Sequence, residues 1–145
     1  MLIENVKKKD PPESIWEVLY VLRLALLAGD AGLARHFLEG TSPPVAASER
    51  FSLLTARAIL AEVEGRVQEA AELYLEAAKR WEEFGIPPCH GEALLGAGRC
   101  LVGLQRLDDA RARLDEAHNV FELLGARVFV DEIDELLSQV TALRS

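Results

Sequence analysis

Two stretches of this chain place their apolar residues in the same rhythm. Ala70, Tyr74, Ala77, Trp81 and Phe84 recur at spacings of 4, 3, 4 and 3, and Ala110, Leu114, Ala117, Phe121 and Leu124 repeat that spacing. A helix gathers such positions onto one face, so each stretch predicts an amphipathic helix with a single apolar stripe. The two stripes superpose at an offset of 40, with Gly85 on Gly125. The first part of the chain matches at an offset of 36, Ala34 on Ala70 and Leu38 on Tyr74. Self-similarity at this period is the mark of stacked helical units. No run of alternating apolar and polar residues is long enough to predict a strand.

The helix-breaking residues divide the chain in step with that rhythm. All six prolines occur as three pairs, Pro11-Pro12, Pro43-Pro44 and Pro87-Pro88, each ahead of a long apolar segment. Proline has no N–H to donate and a φ preset near the helical value, so it suits the first turn of a helix. Each segment runs to a turn, at Gly29-Asp30, Gly65-Arg66 and Gln105-Arg106, and a second helical segment follows. The predicted helices span about 11–28, 31–39, 43–64, 67–84, 88–104, 107–124 and 128–143. Asp10-Pro11-Pro12-Glu13 reads as a capping box and Ser42 as an N-cap. The expected organisation is a tail over 1–9 and one domain over 10–145, with units at about 10–42, 43–86 and 87–127 and a closing helix at 128–143. On that last helix Val130, Ile133, Leu137 and Val140 share a face, while Asp131, Glu132, Asp134 and Glu135 lie mostly elsewhere, as a terminal repeat requires. The expected fold class is all-α: a right-handed array of three helical hairpins with a C-terminal closing helix.

The second helices carry an alanine (Ala34, Ala70, Ala110), a large apolar residue four positions on (Leu38, Tyr74, Leu114) and a small residue three beyond (Thr41, Ala77, Ala117). Small residues let helices approach closely, and the large one fills the gap between hairpins. In this the chain resembles the tetratricopeptide family, although periods of 36 and 40 exceed that family's usual 34. Ala58 and Gly98 supply the small residue midway along the first helices, and Leu22 stands there in the first unit. Trp81-x-x-Phe84-Gly85-x-Pro87, Ala93 to Leu101 and Phe121-x-x-Leu124-Gly125-Ala126-Arg127 are similar to the C-terminal repeat arrays of bacterial MalT-like and LuxR-type regulators and of nucleotide-cyclase-associated signalling ATPases. The resemblance implies a cytoplasmic, non-enzymatic interaction module, a regulatory segment of a bacterial signalling or transcription-regulatory protein.

Charge and composition narrow the partners. A net charge of −8 opposes a nucleic-acid partner, because phosphate binding needs a basic face. The one basic run, Lys7-Lys8-Lys9, precedes the first helix and reads as a solvated tail. Ile15 to Ala28 is very apolar, but at 14 residues with Glu17 and Arg23 it is too short and too charged to span a bilayer. Two cysteines, Cys89 and Cys100, make no disulfide framework and suit a reducing compartment.

The candidates for chemistry are thin. Cys89-His90 lacks the further C-x-x-C or H-x-x-x-H that a zinc site needs, so no metal or other cofactor is expected. Gly96-x-Gly98 follows a helical stretch and has no Lys-Ser or Lys-Thr after it, so it reads as helix packing rather than a phosphate loop. No nucleophile signature accompanies His36, His90 or His118. The chain is therefore expected not to be an enzyme.

The positions that interest us line the first helices, which in such arrays form the concave wall. They are Trp16, Leu19 and Arg23 in the first unit, Thr55, Ile59 and Glu62 in the second, and Leu95, Arg99 and Val102 in the third. Ser52 and Glu92 fall on the same wall. The expected partner is a protein or peptide, and the alternative is a small-ligand-sensing or homodimerising regulatory domain. The first helix carries apolar residues almost all round, from Ile15 to Leu27. A helix apolar on every side asks for cover on every side. That predicts either upstream sequence or a homodimer through the N-terminal hairpin, centred on Trp16, Leu19 and Arg23.

Overall fold

The computed structural model of the chain describes residues 15–41, 44 and 46–144, the first three by backbone alone. The described residues form seven α-helices and no strand. These are α1 (Ile15–Ala28), α2 (Ala31–Glu39), α3 (Ala47–Val63), α4 (Val67–Phe84), α5 (Pro87–Gly103), α6 (Leu107–Leu124) and α7 (Arg127–Arg144). The odd-numbered helices touch in succession, α1 on α3, α3 on α5 and α5 on α7, and make a continuous layer. Each even-numbered helix packs on the two odd ones that flank it in sequence.

The period of 40 is kept by the elements themselves. Helices α3, α5 and α7 start at residues 47, 87 and 127, and α4 and α6 at 67 and 107. The last helix thus stands where a further unit's first helix would, with Phe129 stacked on Phe121 of α6 at a centroid distance of 4.4 Å.

Five helices, both within and between hairpins, end in the same way. The amides of Asp30, Arg66, Ile86, Arg106 and Ala126 reach back five residues to the carbonyls of Ala25, Ala61, Trp81, Leu101 and Phe121. This closure requires a left-handed residue just before the amide. Glycine fills that place at 29, 65, 85 and 125, and Gln105 fills it at φ 62°, a conformation costly for a residue with a Cβ.

The middle of the core is built on close approach. Tyr74 of α4 covers Gly96, where an added Cβ would lie 2.5 Å from the ring. On the other side of α5, Leu114 covers Gly98 and Phe121 covers Gly91, at 2.5 and 2.8 Å. Two faces of α5 are therefore glycine hollows, one for each neighbouring helix. Tyr74, Trp81, Leu114 and Phe121 are buried, as their shared register predicts.

One expectation is corrected. The third helix begins at Ala47, not Pro43, and Pro44 stands outside it. Its first core residues are Phe51 and Ser52, and packing more than propensity holds a helix. Val18, Leu19, Val21, Leu22 and Ala25 are buried, and a narrow stripe of Tyr20, Arg23 and Leu27 stays exposed. The first helix lies against both α2 and α3. The tail, the 10–13 capping box and the Ser42 cap lie outside the described residues.

Candidate functional site

The odd helices converge on a cleft of ≈ 200 Å³. Its lining comes from Arg23, Leu26 and Leu27 of α1, Thr55 and Ile59 of α3, Glu92, Leu95 and Arg99 of α5, and Phe129 and Glu132 of α7. Tyr74 of α4 joins them. Ile59 and Leu95 form a buried apolar floor, and charged groups stand around it.

Those charges are cross-tied. Arg99 grips Glu62 with two parallel contacts, Nε to Oε2 at 2.6 Å and Nη2 to Oε1 at 2.9 Å, and reaches Glu132 through Nη1 at 3.4 Å. The Tyr74 hydroxyl donates to Glu62 Oε1 at 2.7 Å. Arg23 Nη2 meets Glu92 Oε2 at 2.5 Å, joining α1 to α5 across the cleft. One bidentate arginine thus links α3, α5 and α7, a geometry that a lysine could not reproduce.

The protonation states follow. Burial works against the Arg99 cation, but the Glu62 hydrogen bond and charge outweigh it and hold the guanidinium above its ordinary value. Burial, then the Glu62 carboxylate, pushes the Tyr74 phenol well above the usual range. The Cys100 thiol is pushed up to about 12 by burial first and Glu62 second. Glu92 is raised by burial, partly offset by Arg23. The upward shifts hold Arg99 charged and Tyr74 and Cys100 neutral, so neither the phenol nor the thiol is poised to act as a base or nucleophile.

Of the positions expected on the concave wall, Arg23, Thr55, Ile59, Leu95 and Arg99 come together at the cleft. Glu62 lies beneath it, spent on Arg99 and Tyr74. Thr55 contributes surface but no free hydroxyl, because its Oγ1 donates to the Phe51 carbonyl and accepts from Trp81 Nε1, each at 3.0 Å. Leu19 (3% exposed) and Val102 (8%) are buried in the core and do not line this cleft. Ser52 is fully buried, and its hydroxyl has no hydrogen-bond partner among the described residues. The Trp16 side chain lies outside the described residues.

The wall inferred from sequence lacked Leu26, Leu27, Tyr74, Phe129 and Glu132. One signal for the last was available: the offset of 40 carries Glu92 onto Glu132, so treating the final helix as a repeat element rather than a lid puts it on the wall. No family model, curated protein or solved structure matches the chain.

Proposed function

We propose that the chain is a tetratricopeptide-like, right-handed array of helical hairpins that works as a non-enzymatic protein-interaction module. The observation that carries this reading is the cleft: an apolar floor, a fixed charged rim, and walls from four helices that reach it from separate units. The resemblance to the repeat arrays of bacterial signalling and transcription regulators supports a regulatory setting. Both cleft arginines are already paired with glutamates, so the occupant is not recognised through a terminal carboxylate. Three carboxylates (Glu62, Glu92, Glu132) stand against two guanidiniums (Arg23, Arg99), and the whole chain carries −8. The complementary occupant is a peptide or helix that seats one large apolar side chain on Ile59 and Leu95 and sets a lysine or arginine toward Glu132 and Glu92.

A peptide array of apolar-basic sequences, followed by calorimetry on the hits, tests this. Leu27→Asp alters an exposed cleft residue (87% exposed) and should keep the wild-type circular dichroism and melting temperature, whereas Glu132→Lys gives up the 3.4 Å contact with Arg99 and should keep the circular dichroism at a somewhat lower melting temperature. Each should weaken binding roughly tenfold or more, the loss expected of an anchor contact. Hits that bind both variants as well as wild type would place the interaction elsewhere and overturn the reading.

A further inference from the structure

On the side of α5 away from the cleft, a second concavity of ≈ 280 Å³ opens between α4 and α6. In the sequence His90 stands beside Cys89, a pair that no other ligand completes. In the fold it faces two glutamates instead. Glu82 comes from the last turn of α4, His90 from the first turns of α5 and Glu116 from the middle of α6, and their donor atoms all lie within 4.8 Å of one another.

We propose that Glu82, His90 and Glu116 form a binding site for a divalent transition-metal ion, zinc foremost. Donors around a tetrahedral zinc ion, each about 2.0–2.2 Å from the metal, stand roughly 3.3–3.5 Å apart. His90 Nε2 and Glu82 Oε2 are already at 3.3 Å. Glu116 reaches that separation by a side-chain adjustment. The imidazole side chain is only 14% exposed, which limits its orientations, whereas the two carboxylates keep the freedom to close on an ion. Three backbones from three packed helices fix the donors, so the site does not depend on a loop.

The surroundings supply the outer support such a site uses. Arg113 Nη1 holds Glu116 Oε1 at 2.8 Å and leaves Oε2 for the metal, the arrangement by which a neighbouring group orients a ligating carboxylate. Arg113 and Lys79, both on the wall, also offset the two carboxylate charges. Leu75, Ala78 and Leu94 make the rest of it apolar. One nitrogen and two carboxylate oxygens favour zinc, cobalt or nickel over magnesium and calcium, which take oxygen alone. Three protein ligands leave a fourth position for water or for a donor from another molecule.

The test uses the tag-free full chain with zinc ion alone in calorimetry, and cobalt ion alone in visible absorption. We expect one ion per chain, saturable binding, a raised melting temperature in zinc because the ion binds only the folded state, and a cobalt spectrum without a thiolate charge-transfer band. His90→Ala and the milder Glu116→Gln, each checked for native circular dichroism, should weaken zinc binding about tenfold or more. Cys89→Ser and His118→Ala should leave it unchanged; the latter removes a histidine 3.1 Å from Asp134 at a separate place. Absence of saturable binding would overturn the proposal. So would zinc binding that survives both His90→Ala and Glu116→Gln, or that is lost with Cys89→Ser.

Discussion

At the scale of single residues, the core depends on three absent side chains. A Cβ at Gly96 would meet the Tyr74 ring at 2.5 Å and one at Gly98 would meet Leu114 at 2.5 Å, whereas one at Gly103 would meet Val67 at an ordinary 3.9 Å. Overfilling a packed site costs about 1–3 kcal/mol, and alanine regains about 1 kcal/mol of helix propensity over glycine. Gly96→Ala and Gly98→Ala should therefore lose stability in urea denaturation while Gly103→Ala gains a few tenths of a kcal/mol, roughly the propensity term weakened at a helix end. The buried Ser52 hydroxyl makes the opposite case. Leaving a buried hydroxyl unpaired costs about 1–3 kcal/mol, so Ser52→Ala should match or exceed the wild type in the same experiment. Tyr74 adds a pH signature. Its folded pKa lies above the ordinary 10, so the stability it contributes is complete below pH 10 and is lost as pH climbs toward the folded value. Tyr74→Phe gives up a hydrogen bond to a carboxylate, a loss of about 1.5–3 kcal/mol near neutrality. Its stability curve should then fall less steeply than the wild type's above pH 10. Parallel curves would refute the assignment. Much of this layer was legible: the small-large-small register of Ala70, Tyr74 and Ala77 names the knob, and Gly96 and Gly98 read as packing glycines from their helical setting. What was not legible was depth. Leu19 stands one turn from the exposed Arg23, and only the angle of the adjoining helix decides which of the two turns inward.

At the scale of elements, the turns are legible in the sequence and the helix starts less so. Gly29, Gly65, Gly85 and Gly125 mark their turns in sequence because a left-handed residue closes each helix. Gln105 was found only through its place in the repeat, and the structure shows it bearing the strain that glycine avoids elsewhere. A Cβ in that conformation costs about 1–2 kcal/mol, and glycine returns about 0.4–1 kcal/mol of that to the unfolded chain as entropy. Gln105→Gly should raise stability by about 0.5–1 kcal/mol, or a few degrees in melting temperature. Gln105→Ala keeps the Cβ and should not. The start of α3 shows why boundaries resist this kind of reading: Pro43-Pro44 permits a helix to begin, but the first packed residues stand well beyond it. The same proline signal works at α5, where Pro87 and Pro88 occupy the first two helical positions. There Cys89 and Gly91 lie against the core within one turn. A proline pair allows a helix, and nearby burial makes it form.

At the scale of the molecule, stability should be graded along the stack rather than uniform. Helix α5 is flanked on both faces, and ten of its 17 residues are buried; α2 buries three and α7 four. In a layered array each unit is held by its neighbours, so inner elements open only when the outer ones already have. Crossing ties act in the same direction. Arg99 binds α5 to α3 and α7, and Arg23 binds it to α1, so α5 is the member to which the others are fastened. Native-state hydrogen exchange should therefore show the slowest amides in α5 and in the facing parts of α4 and α6, with α2 and the second half of α7 opening first. Arg99→Met tests the ties separately from packing. It leaves Glu62 half-served by Tyr74 alone, and should cost about 2–3 kcal/mol, less than the 3–5 kcal/mol of a fully buried pair, because the arginine keeps part of its hydration. If the ties hold the outer helices to the centre, that variant should speed exchange most in α7 and α3 and least in α6, which Arg99 does not touch. Equal acceleration in every helix would mean that the chain opens as one cooperative block, and that the cleft is bounded by a single rigid body instead of by units able to shift around a ligand.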